Sequence, residues 1–158
     1  MDHEPLSATE KIPPHDEKVS RKVTRERLAI LYLRITLGAA FLSAVADRFG
    51  LWGKYGGWGT FANFTKYTGE VLSFMPMSVI PFLAWAATIA ELSLGILLIL
   101  GLWTRWVALG AAALLFLFGT SMAISFGLKS PLDYSVFSAS AGALLLALFT
   151  SSRSGANS

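Results

Sequence analysis

The chain has 158 residues, of which 54% are hydrophobic and 15% are charged, and its mean hydropathy is +0.56. This composition excludes an ordinary water-soluble globule, and the length leaves room for one compact membrane domain. The formal net charge is +3, but the bases lie where membrane topology needs them, so we expect no nucleic-acid partner. There is no cysteine, and the two histidines, His3 and His15, lie near the N-terminus. These absences exclude disulfides, iron–sulfur clusters and histidine-ligated haem or copper within the membrane, and we predict no metal site.

Residues 1–27 are charged and rich in proline, a composition that predicts a tail that is disordered or wrapped on a partner. Within it, residues 19–27 are a candidate for a short helix that enters the membrane. Four bases form a collar just before the first apolar stretch: Arg21, Lys22, Arg25 and Arg27. The collar is either a topology determinant that also touches anionic lipid or a specific binding site, and we favour the first interpretation. A second polar tail covers residues 151–158.

Four apolar stretches follow the first tail, at about residues 28–46, 81–103, 107–126 and 134–150. Crossing a hydrocarbon core of ~30 Å takes roughly 20 apolar helical residues. The pattern therefore predicts an all-α integral membrane protein, a four-helix bundle within residues 28–150. An even number of spans puts both termini on one side, and the excess of Lys and Arg there predicts that this side is cytoplasmic.

Two ionisable residues lie well inside the predicted spans, Arg34 in the first and Glu91 in the second. A carboxylate at that depth needs a cation, a polar partner or a proton. We therefore expect the bundle to assemble around Glu91 and Arg34. Helical rise places Glu91 about 10 Å farther from the cytoplasm than Arg34, so Arg48, at the far end of the first span, is a competing partner. Alternatively, Arg34 snorkels to the headgroups.

Small residues share the helix faces that carry these charges. Gly38 lies on the face of Arg34, whereas Ala84, Ala87 and Gly95 share a face with Glu91. Small side chains let membrane helices approach closely. We therefore predict close packing along these faces.

The connection from Gly50 to Ile80 is rich in glycine and aromatic residues, including Trp52, Tyr55 and Trp58. Such rings settle at the level of the lipid headgroups, so we predict an interfacial segment with a short helix after residue 60. The alternative is a lid over a cavity that opens on that side of the membrane.

Three stretches resemble the DoxX family: RITLGAAFLSAVADRFG from residue 34, ELSLGILLILGLWTR from residue 91, and DYS from residue 133. The resemblance covers residues 29–149 and is most specific between Glu91 and Arg105. The chain differs from the family pattern at the end of the first helix, where Asp47-Arg48 replaces a G-x-x-K pattern. The resemblance implies a four-helix protein of the bacterial inner membrane, in a family linked to sulfur-compound and quinone chemistry.

Three functional hypotheses follow. In the first, the chain is a subunit of a membrane oxidoreductase that holds a non-covalent quinone or relays protons, with Glu91 and Arg34 as the polar site. The predicted cavity is then lined by Trp52, Tyr55, Trp58 and Arg48. In the second, it is a non-catalytic assembly subunit of a larger membrane complex, and the buried pair serves helix packing only. The third, a small transporter, is least favoured because we find no internal repeat and no proline that interrupts a span, Pro81 lying in the first turn of the second span.

Overall fold

The computed structural model describes the backbone of residues 14–154 and the side chains of residues 23–150. Within that part of the chain there are six α-helices and no strand: α1 (Pro14–Arg48), α2 (Phe61–Val71), α3 (Ile80–Leu100), α4 (Thr104–Phe126), α5 (Lys129–Asp133) and α6 (Val136–Ser154). The predicted all-α class is confirmed.

The first helix begins earlier than the sequence suggested. Its first residue is Pro14, a position where the fixed φ of proline suits a helix, and neither glycine nor proline interrupts residues 15–37. Residues 14–27 therefore belong to α1, which includes the candidate short helix over residues 19–27, and the expected disorder does not extend to this stretch. Residues 1–13 and 155–158 lie outside the described residues, as do the side chains of Arg21 and Lys22.

Three segments are long and apolar enough to cross a membrane: Val23–Arg48, Met77–Leu100 and Thr104–Phe126. The apolar part of α6, Val136–Thr150, is shorter, about 22 Å at the usual helical rise. The protein is thus a helical membrane protein, and the fourth crossing stays a prediction.

The long helices pack in a closed order, with α1 against α3, α3 against α4, α4 against α6 and α6 against α1. Small side chains bring α4 and α6 together, because Ala108, Ala111, Ala143 and Ala147 are almost fully buried. Larger apolar residues complete this core: Leu37, Phe41, Leu98, Val107 and Leu146.

The helices α1 and α3 cross at two glycines. A Cβ added at Gly38 would lie 2.9 Å from the carbonyl oxygen of Gly95, and one added at Gly95 would lie 3.2 Å from the carbonyl oxygen of Gly38. Neither backbone has room for a larger residue, so the predicted close packing along these two faces is confirmed.

The turn between α3 and α4 consists of residues 101–103, whereas the predicted spans 81–103 and 107–126 placed it at residues 104–106. Gly101 adopts φ +75°, and its N–H and that of Leu102 return to the carbonyls of the last turn of α3. A left-handed glycine with this bonding pattern ends a helix. The chain then passes Trp103, also left-handed with φ +42°, and α4 begins at Thr104.

The connection between α1 and α3 contains two short 3₁₀ turns and the helix α2. Thr60 caps α2, since its side-chain oxygen accepts the N–H of Asn63, and Phe64 and Thr68 are the buried residues of this helix. The short helix predicted after residue 60 is thereby confirmed. Its position at the membrane interface stays a prediction.

Candidate functional site

Glu91 lies in a closed cluster at the end of α1, and its partner is Arg48. The Arg48 Nη2 donates to both carboxylate oxygens of Glu91, at 2.7 and 2.6 Å, and both residues are 2% exposed. The Arg48 Nη1 donates to the hydroxyl of Thr88 at 2.8 Å, and that hydroxyl in turn donates to the Ala84 carbonyl. A buried charge of each sign thus has its partner within the protein.

Aromatic rings cover the guanidinium of Arg48. Its central carbon lies 3.7 Å from the ring centroid of Phe64 and 5.7 Å from that of Trp58. These contacts fall within the range of cation–π attraction. Phe64 comes from α2 and Trp58 from the loop before it, so the cluster holds α1, α2, α3 and this loop together. We call Arg48, Thr88, Glu91, Trp58 and Phe64 the Arg48–Glu91 cluster.

The expected pairing of Glu91 with Arg34 is wrong. The Arg34 Nε donates to the Leu98 carbonyl at 2.9 Å and its Nη2 to the Ile99 carbonyl at 3.1 Å. These acceptors belong to the last turn of α3, whose carbonyls have no partner within the helix. Arg34 therefore caps the C-terminus of α3, far along the interface from Glu91.

The direction of the side chains explains which arginine reaches Glu91. The Cα–Cβ bonds of a helix tilt toward its N-terminus, and α1 and α3 run antiparallel, since Arg34 meets Leu98 whereas Arg48 meets Thr88. The side chain of Arg34 thus leans away from the level of Glu91, and that of Arg48 leans toward it. Glu91 itself leans toward the Arg48 end of α1.

Asp47, next to Arg48, faces the loop on the other side of α1. Its Oδ2 accepts the N–H groups of Gly57 and Trp58, at 2.9 and 3.2 Å. This fixes the loop that carries Trp58 onto Arg48. The Asp47 Oδ1 is buried and has no hydrogen-bond partner.

A groove of about 390 Å³ opens beside Asp47. Its floor is the small-residue face of α1, and its walls include Trp52 and Tyr55, both exposed. The Trp52 Nε1 donates to the Ser43 carbonyl at 3.1 Å, which holds the indole beside the helix. The full lining is Ala40, Ser43, Ala44, Asp47, Trp52, Tyr55 and Gly56.

The four residues predicted to line one cavity thus divide between two places. Trp52 and Tyr55 line the groove, whereas Trp58 and Arg48 belong to the Arg48–Glu91 cluster. The sequence interpretation missed Asp47, Phe64 and Thr88. Thr88 carried a signal, since it lies three residues before Glu91 and therefore on the same helix face. Phe64 and Asp47 act through contacts with other segments of the chain, and the sequence contained no signal for either of them.

Tyr67 borders the cluster on the side of α2, where its ring lies 5.7 Å from that of Trp58. Burial raises the pKa of the Tyr67 hydroxyl, and the charges of Tyr134 and Glu70 raise it further. The hydroxyl therefore stays neutral near pH 7. Among the described residues, no group of three or more His, Asp or Glu side chains could hold a metal ion.

The family model that matches the chain is that of DoxX, over residues 29–124, more than half of the sequence. The matched region contains Arg34, Arg48 and Glu91, the groove, and most of α4. Neither the comparison with curated proteins nor that with solved structures gives a significant match.

Proposed function

The chain belongs to the DoxX family, and we propose that it is a subunit of a membrane oxidoreductase complex that binds a quinone headgroup in the groove beside Trp52 and Tyr55. The groove carries this proposal. Its volume of about 390 Å³ suits a single substituted ring, and its walls are two aromatic side chains. Asp47 also lines the groove, so a carboxylate stands beside the proposed ring site.

In this proposal the Arg48–Glu91 cluster positions the groove and does not carry protons. Both charges are 2% exposed and are bonded to each other. Through Trp58 the cluster holds the loop that bears the groove walls Trp52 and Tyr55. Arg34 likewise has a packing role, as the cap of α3.

The proposed setting is the inner membrane of a bacterium, with four crossings and both termini in the cytoplasm. The described cations Arg25, Arg27 and Arg105 lie at one end of the helices and favour that end as the cytoplasmic one. Because the chain lacks cysteine, single introduced cysteines report sidedness directly. In intact cells, Lys54→Cys should react with a membrane-impermeant maleimide and Thr104→Cys should not. The opposite pattern would overturn this orientation.

Quinone retention tests the proposed function. The full chain is purified in mild detergent, and the organic extract is examined by ultraviolet absorbance before and after chemical reduction. We expect about one quinone per chain for the wild type and a loss of most of it for Ala40→Leu, which fills the groove floor. Ala39→Leu is the matched control, because Ala39 is also an exposed residue of α1 but does not line the groove.

Two outcomes contradict quinone binding: a wild-type protein without quinone in its native membrane extract, or equal retention by Ala40→Leu and Ala39→Leu. The second candidate function is a non-catalytic assembly subunit. The closed Arg48–Glu91 cluster favours it, since it provides packing without access for a substrate. A fixed protein partner that co-purifies with the chain, without a quinone, would support this candidate.

A further inference from the structure

The turn between α3 and α4 presents bulky apolar side chains to its surroundings. Leu102, Trp103 and Trp106 are 47, 74 and 68% exposed, respectively. They lie at the very ends of two candidate membrane spans, α3 and α4. Tryptophan at such a position prefers the headgroup level, where one side of the ring is apolar and the other wet.

The backbone of Trp103 is strained, with φ +42° and ψ +39°. A bulky residue in the left-handed region costs free energy. The Trp103 carbonyl accepts the N–H groups of Trp106 and Val107, at 2.9 and 3.1 Å, so the first turn of α4 holds this conformation. Most of the indole nevertheless faces outward.

The same end of the molecule is basic. The exposed residues Arg25 and Arg27 of α1 and Arg105 of α4 lie there, and Glu26 is the one acid at this end among the residues whose side chains are described. The opposite end mixes signs, since Lys54 and Lys66 are offset by Glu70 and Asp47, and Lys129 pairs with Asp133. Only the first end is therefore complementary to an anionic surface.

Arg105 is a base whose charge no described acid neutralises, as is also true of Arg25, Arg27 and Lys66. Arg34, by contrast, donates to two carbonyls of α3. Arg105 lies in the first turn of α4, where a cation opposes the helix dipole. No acid among the described residues forms an ion pair with it, and its guanidinium lies 5.4 Å from the Trp106 ring. It is thus free to bind an anion at the level of the two indoles.

We infer that the α3–α4 turn is a binding site for the headgroup of an anionic phospholipid. Arg105 pairs with the lipid phosphate, while Trp103 and Trp106 contact the glycerol region and the upper acyl chains. Arg25 and Arg27, farther out along α1, add longer-range attraction. This inference does not depend on quinone binding.

Lipid titration of the detergent-purified full chain, followed by native mass spectrometry, tests the inference. The probes are phosphatidylglycerol and phosphatidylcholine with identical acyl chains, and inorganic phosphate as a competitor. We expect the wild type to bind phosphatidylglycerol more tightly than phosphatidylcholine. Arg105→Gln should weaken phosphatidylglycerol binding about fivefold, the effect of one interfacial base, and should leave phosphatidylcholine binding unchanged.

Three further variants complete the test. Arg105→Lys keeps the charge and should keep most of the preference, also if Arg105→Gln fails to fold. Lys66→Gln, at the opposite end, should retain the whole preference. Trp103→Ala should weaken the binding of both lipids to the same extent.

The inference is overturned if the wild type binds both lipids equally, or if Arg105→Gln and Lys66→Gln behave alike. Displacement of phosphatidylglycerol by inorganic phosphate would show a site for free anions instead of a lipid site. If a second protein stays bound to the chain and no lipid binds, the turn is a contact site for a partner subunit and the inference is wrong.

Discussion

Arg34 and Arg48 lie on the same helix, about 21 Å apart at the usual rise, and both side chains meet α3, yet their surroundings differ. Arg34 is half-buried and bonds two backbone carbonyls at the end of α3. Arg48 is 2% exposed and donates to the carboxylate of Glu91 and the hydroxyl of Thr88. Its guanidinium also packs on an aromatic ring. Between them, Gly38 and Gly95 bring the two backbones together.

The difference shows two ways of placing an arginine in a membrane protein. Arg34 reaches the C-terminal turn of α3, where the carbonyls left free by the helix and the nearby headgroups share its charge. Arg48, although it is the last residue of α1, reaches Thr88 and Glu91 in the interior of α3, where only a second ionised group and close packing replace the lost water. We therefore expect substitutions that remove the contacts of Arg48 to lower the free energy of unfolding much more than substitutions that remove those of Arg34.

The largest effect is expected for Glu91→Ala, which leaves Arg48 buried without its counter-ion. Breaking a buried ion pair costs about 3–5 kcal/mol, so the free energy of unfolding in mixed detergent micelles should fall by that amount. Glu70→Ala, an exposed acid of α2, is the control and should change it by less than about 0.5 kcal/mol.

The double variant Arg48→Met with Glu91→Leu sharpens this test. Replacing both charges by apolar residues of similar size is often neutral or stabilising, so the double variant should recover most of the stability lost by Glu91→Ala. A double variant as unstable as the single one would contradict a pure packing role for the pair.

An intermediate effect is expected for Gly38→Ala, between the two arginines. The new Cβ would lie 2.7 Å from Ile99 Cγ1 and 2.9 Å from the Gly95 carbonyl oxygen, so α1 and α3 have to separate. Overpacking of this kind typically costs about 1–3 kcal/mol. The matched control is Gly142→Ala in α6, where the nearest neighbour, Leu33 Cδ2, would lie at an ordinary 3.7 Å.

Thermal unfolding of the two glycine variants measures this difference. Gly142→Ala should be neutral or slightly stabilising, since alanine is the better helix former. Equal melting temperatures for the two variants would mean that the contact of α1 with α3 is looser than the structure has it.

The smallest effect is expected for Arg34→Gln. It removes two bonds to α3 carbonyls and a favourable charge at a helix C-terminus, together about 1 kcal/mol, because water and headgroups take over the acceptors. Arg27→Gln, exposed on the same helix, serves as the control. If Arg34→Gln lowered the free energy of unfolding as much as Glu91→Ala does, the proposed difference between the Arg34 and Arg48 sites would be wrong.

Much of the architecture follows from local properties of the chain. The long apolar stretches define the helices, Gly38 and Gly95 indicate a close helix contact, and Glu91 requires a partner because an isolated carboxylate is costly in hydrocarbon. The exact turn between α3 and α4 was less accessible, because the left-handed Gly101 ends α3 sooner than hydropathy suggests.

The sequence by itself determined that the acid in the second span, Glu91, needs a polar or charged partner and that the first helix supplies an arginine. Only the tertiary structure decided which one. The antiparallel register of α1 and α3 and the tilt of helical side chains toward the N-terminus aim Arg48 at Glu91 and Arg34 away from it. The loop then covers the pair with Trp58 and α2 covers it with Phe64, contacts between separate segments that no local pattern encodes.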